Sequence, residues 1–72
     1  MNKWTADFTN NPFDDYNLMV ELFFDEVEVA SIKKGEKGLE LKLYENNRDL
    51  CIPLNWLSDL ILEFENKIIE ES

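Results

Sequence analysis

An α+β fold is what three patterns in this sequence predict: a four- or five-stranded antiparallel meander with a single C-terminal helix packed on one face. Near the end of the chain, Leu54, Leu57, Leu60, Ile61, Phe64 and Ile68 recur at three- and four-residue steps, the spacing of one helix face. Upstream, apolar and polar residues alternate in short runs, the period of a half-buried strand. Between the runs stand groups of Asn, Asp, Gly and Pro, which favour turns for different local reasons.

The first strand is expected over residues 3 to 9, where Trp4, Ala6 and Phe8 alternate with Lys3, Thr5, Asp7 and Thr9. The run T-N-N-P-F-D-D then reverses the chain, and Phe13 within it is expected to fold back onto the body. Residues 16 to 24 form the strongest strand. Leu18, Val20, Leu22 and Phe24 share one face, while Met19, Glu21 and Phe23 share the other. Asp25 and Glu26 make a tight reversal into a strand over 27 to 33, with Val27 and Val29 on one face and Ala30 and Ile32 on the other.

K-G-E-K-G at 34 to 38 reads as a hairpin loop whose glycines can supply a positive φ. Leu39, Leu41 and Leu43 alternate with Glu40, Lys42 and Tyr44, giving a strand over 39 to 45 with a polar outer side. After the turn E-N-N-R, residues 49 to 52 read as a short last strand with Leu50 and Ile52 inward. Pro53 cannot donate to a ladder and suits the first turn of a helix, so the helix is expected over 54 to 70.

Seventy-two residues make one domain, close to the size at which a core alone is a thin source of stability. One cysteine and no histidine exclude an internal disulfide, a single-chain structural zinc site and the usual His-based nucleophile systems. Cys51 itself reads as a buried structural thiol. No Gly-rich phosphate loop and no calcium-loop pattern is present. The carboxylates of Asp14-Asp15 and of Asp25-Glu26-x-Glu28 read as ordinary surface acids. The chain therefore calls for no catalytic residues, no metal and no cofactor.

Sixteen acidic residues against seven basic ones leave a net charge of −9, which repels nucleic-acid backbones and anionic membranes. No apolar run approaches a membrane span of roughly 20 residues, and the N-terminal M-N-K-W-T-A-D-F has no apolar signal core. A cytoplasmic location is the expectation.

What remains is recognition of a protein partner, a basic one being compatible with the charge. One helix covers one sheet face, and Met19, Phe23, Ala30 and Ile32 make the second face too apolar for water. Either the N-terminal segment wraps over that face or a second copy meets it, and a two-fold homodimer is the favoured expectation. On the helix, Trp56 on one flank and Leu62 with Ile69 on the other exceed what one sheet face requires. The candidate interface is thus Met19, Phe23, Ile32, Trp56, Leu62 and Ile69. Two functions compete: an interaction module or accessory subunit, and an acidic inhibitor that blocks a basic site on an enzyme. The second would use Asp14, Asp15, Asp59, Glu63 and Glu70 as its recognition surface.

Overall fold

The computed structural model of the chain describes residues 3–13, 15–44 and 49–71. Four strands form one antiparallel sheet in the order of the sequence, and a single helix follows. The strands are β1 (Trp4–Asn11), β2 (Asn17–Phe24), β3 (Val27–Gly35) and β4 (Gly38–Leu43), and the helix is α1 (Leu54–Glu71). The α+β meander read from the sequence is the fold, with four strands. Residues 49–52 form no strand. The carbonyl of Cys51 instead accepts the Trp4 indole N–H at 3.0 Å, which pins the connection into α1 against β1. Leu50 still packs on the core from there.

Each reversal has a local cause. Asn11 accepts the Phe13 N–H through its side chain at 3.0 Å and the Tyr16 N–H through its carbonyl at 2.8 Å, closing the β1–β2 loop. The β2–β3 turn is two residues long, and both Asp25 (φ 52°) and Glu26 (φ 71°) have positive φ. That is the turn class whose twist matches a hairpin. Asp25 also receives the Lys3 N–H at 2.8 Å, so the start of the chain holds the turn. At the β3–β4 turn Gly35 pairs with Gly38, which takes φ 126°. Pro53 stands just ahead of α1, and its carbonyl accepts the Leu57 N–H at 3.0 Å as the first helical bond.

The core lies between α1 and one face of the sheet. Val20, Leu22 and Phe24 of β2 and Val29, Ala30 and Ile32 of β3 meet Leu60 and Phe64 of α1, with Trp4, Ala6 and Phe8 of β1 alongside. Residues opposite one another in a ladder share a face. Val20 pairs with Phe8 and Ile32, and Leu22 pairs with Ala6 and Ala30. The inner face is therefore one continuous apolar surface. Burying each large side chain fully is worth about 1.5–3 kcal/mol.

A β-bulge decides which side chains reach it. The register steps from Leu22↔Ala30 to Phe23↔Glu28, leaving Val29 as the extra residue of β3. The bulge re-phases the strand, so Val29 and Ala30 both turn inward and both are buried. This corrects the expected split of β3. Ala30 and Ile32 are not on the second face; Ile32, 2% exposed, lies in the core opposite Val20. Neither does the N-terminal segment wrap over that face, because β1 contributes its apolar residues to the core. The second face carries Thr5, Asp7 and Thr9, then Met19, Glu21 and Phe23, then Glu28, Ser31 and Lys33, then Glu40 and Lys42.

Trp56 meets Trp4 at 5.9 Å and Phe64 meets Phe8 at 6.2 Å between ring centroids. The helix thus runs in the same direction as β1, and its Trp56 and Lys67 flank leans over that strand, with Lys67 Nζ 5.1 Å above the Phe8 ring. A helix is roughly 10 Å wide and strands are spaced about 4.8 Å apart, so one helix spans about two strands. The consequence is lateral. β4 lies beyond the cover of α1, and its inward leucines are left partly bare, Leu43 at 69% exposure. The clean half-buried strand expected there is only as buried as the helix's reach allows.

Candidate functional site

Two surfaces bear polar or apolar groups beyond what folding requires. The first is the open sheet face. There Glu21 stands beside Asp7 of β1 and Ser31 of β3 in one cross-strand row. Glu28 accepts the Tyr44 O–H at 2.8 Å. Desolvation raises the Glu21 carboxyl above its ordinary value, and a hydrogen bond to Glu28 and the charges of Glu28 and Asp7 push the same way. A hydrogen bond to Ser31 draws the Tyr44 hydroxyl down, but desolvation and Glu28 outweigh it and the net direction is up. Glu21 and Glu28 thus stand side by side on this face, both half-buried, next to the buried Ser31. Among the described residues no group of three or more Cys, Asp or Glu is placed to hold a metal ion.

The second surface is α1 itself. With Leu60 and Phe64 facing the sheet and Trp56 leaning over β1, the opposite flank carries Leu57 and Ile61, partly buried, above the β3 side. Farther out, Leu54, Leu62 and Ile69 recur at steps of eight and seven residues, and all three are exposed, Leu54 at 75%. Leu54, Leu57, Ser58, Ile61, Leu62 and Glu65 line a shallow groove of ≈ 420 Å³.

The residues singled out in the sequence separate into different places. Leu62 and Ile69 lie on this outward stripe, as expected of them. Trp56 does not join them: it is half-buried against Trp4 and closes the β1 side of the core. Met19 and Phe23 are half-buried on the open sheet face, on the opposite side of the sheet from Ile32. Asp59, Glu63 and Glu70 are exposed and fall on one flank of α1, four and seven residues apart, beyond the Trp56 edge. Asp15 is exposed in the β1–β2 loop. Asp14 lies outside the described residues.

Two side chains are more open than their sequence context implied. Phe13 is 96% exposed and does not fold back, because the Asn11 side chain holds its backbone in a turn that points the ring away. Cys51 is exposed, since the segment carrying it is an extended connection and not a strand. Near Phe13, an open depression of ≈ 940 Å³ is lined in part by Lys33, Lys34 and Lys37.

Sequence reasoning missed Leu41, Leu43 and Leu54 as exposed apolar groups. The signal was present for the first two, because a single helix is too narrow to cover the fourth strand of a meander. The outward direction of Glu21 and Glu28 was likewise legible from period two, but their adjacency needed the bulged register. No helix among the described residues is long and apolar enough to cross a membrane. Set against protein-family models, curated proteins and solved structures, the chain matches none of them.

Proposed function

We propose that this chain is a small acidic non-catalytic protein–protein interaction module or accessory subunit, docking a partner along the outward flank of α1. One observation carries the reading. The helix presents two apolar stripes, one buried on the sheet and a second, Leu54, Leu62 and Ile69, left in solvent beside an apolar groove. An exposed stripe at helical spacing costs solubility unless something covers it. The partner is a protein with an apolar ridge, and basic residues around that ridge would meet the carboxylates Asp59, Glu63 and Glu70 on the far flank. The same reading keeps the chain in the cytoplasm, assigns it no cofactor and no direct contact with nucleic acid or membrane, and allows it to pair with itself.

The test uses the full chain as bait beside a Leu54→Lys, Leu62→Lys variant. A protein retained by the first and lost by the second, in both low and high salt, supports docking on the apolar stripe. Equal retention by both baits rejects it.

The alternative is an acidic inhibitor that covers a basic site on an enzyme. It is favoured by the alignment of Asp59, Glu63 and Glu70 along one flank of α1, all exposed. Its complex would weaken steeply with salt and with Asp59→Asn, Glu63→Gln, and would ignore Leu54 and Leu62.

A further inference from the structure

β4 is one edge of the sheet, and its outer side has no hydrogen-bonded neighbour among the described residues. The hairpin fixes which of its backbone groups point outward. Tyr44 N–H donates to the Val29 carbonyl at 2.9 Å. Bonded and non-bonded pairs alternate along an antiparallel ladder. Lys42, Glu40 and Gly38 therefore turn their backbone groups toward β3, while Leu43, Leu41 and Leu39 turn theirs outward. β4 has no proline, no bulge and no charge on its inner side, and its charges Glu40 and Lys42 stand on the open face. The other edge differs, since Trp56 and Lys67 overlie the Trp4 and Phe8 side chains of β1.

We infer that two copies of this chain pair through β4, antiparallel, about a two-fold axis at Leu41. The strand L-E-L-K-L reads as its own complement in that register. Leu41 meets the second copy's Leu41, Leu39 meets Leu43, and all of them present the outward N–H and C=O groups that the pairing needs. On the open face each Glu40 stands opposite a Lys42. The bonding phase leaves as neighbours only the registers shifted by one residue on each strand. One of these sets Glu40 against Glu40 and the other Lys42 against Lys42, and like charges directly opposite are unfavourable. Charge and backbone phase thus select the same register.

The product is a continuous eight-stranded sheet, counting four strands from each copy, with Leu41 and Leu43 of both copies gathered at its centre. A six-residue strand edge is small beside a standard interface of roughly 1,600 Å². The dimer is accordingly a weak, concentration-dependent one. It does not depend on the docking stripe of α1, and it is measured on the purified chain alone.

The experiment is sedimentation velocity of the full chain over a wide concentration range, with far-UV circular dichroism confirming that each variant is folded. The wild type should shift from monomer to dimer as concentration rises. Glu40→Lys and Lys42→Glu each put like charges across the axis and should raise the dissociation constant about fivefold, taking roughly 1 kcal/mol for the cross-strand charges. Both substitutions in one chain should restore it. Mixing the two single variants should give a heterodimer tighter than either variant's homodimer, which no effect within one chain would produce. A wild type that stays monomeric at all concentrations overturns the inference. So does a dimer indifferent to these exchanges, since it must use another surface.

Discussion

Trp4 and Trp56 meet at 5.9 Å between ring centroids, tilted by 43°, while the Trp4 indole N–H holds the Cys51 carbonyl at 3.0 Å. One side chain near the start of the chain thus fixes both the entry to α1 and the helix's first turns. Trp4 also lies 5.0 Å from Phe24, so it joins β1, β2 and α1 at one corner of the core.

Replacing Trp56 with Ala should cost about 2–4 kcal/mol, somewhat below a fully buried Trp→Ala because the ring is half exposed. Trp4→Ala should cost more, since it loses the same stacking together with the Phe24 contact and the hydrogen bond to the Cys51 carbonyl. In a double-mutant cycle by urea denaturation the pair should couple by about 0.5–1.5 kcal/mol, the range for aromatic contacts. Strict additivity would mean that the rings act independently.

The turn between β2 and β3 carries strain that can be removed. Glu26 holds φ 71°, a conformation that costs an L-residue about 1–2 kcal/mol and costs Gly little. After the extra backbone entropy of Gly, Glu26→Gly should gain about 0.5–1 kcal/mol, raising Tm by a few degrees in a domain of this size. Asp25→Gly relieves a similar φ but removes the acceptor of the Lys3 N–H. Its Tm should therefore rise less or fall, and calorimetry on both variants makes the comparison.

Glu21 gives a pH dependence with a definite sign. Its folded-state carboxyl is raised above its ordinary value, first by desolvation and then by Glu28 and Asp7. Ionising it therefore works against folding, fully so above the folded value and not at all below the unfolded one, roughly pH 4.3. Glu21→Gln should be more stable than the parent at neutral pH, by no more than about 0.5 kcal/mol on a solvated face. The difference should close as pH falls through the titration. A variant less stable at neutral pH and equal in acid would reverse the sign.

Most of the fold was legible because it rests on two periods. Val20, Leu22 and Phe24 at period two and Leu60 and Phe64 at period 3.6 point inward from the pattern alone, and they form the centre of the core. What could not be read depends on the backbone path. A bulge at Val29 has no residue signature, so strict alternation puts Ile32 on the wrong face. Cys51 and Ile52 keep strand-like alternation in a segment that makes no ladder. The site was legible in part. Leu62 and Ile69 stand out on a helical wheel alone, but the exposure of Leu41 and Leu43 depends on where α1 rests across the sheet. That placement follows from Trp4, Phe8 and their aromatic partners, which are remote in sequence.

The extra residue at Val29 gives β3 two reading frames of tolerance. Up to Val29 the odd-numbered positions face the core, and from Ala30 on the even-numbered ones do. A saturation scan should find polar residues rejected at two consecutive positions, Val29 and Ala30, then accepted at Lys33 after a second rejection at Ile32. Removing Val29 would restore a regular ladder with Ala30 and Ile32 still inward and Lys33 outward, whereas removing Ser31 would send Ile32 into solvent and Lys33 inward, so this strand should accept a deletion at the step and reject one beyond it.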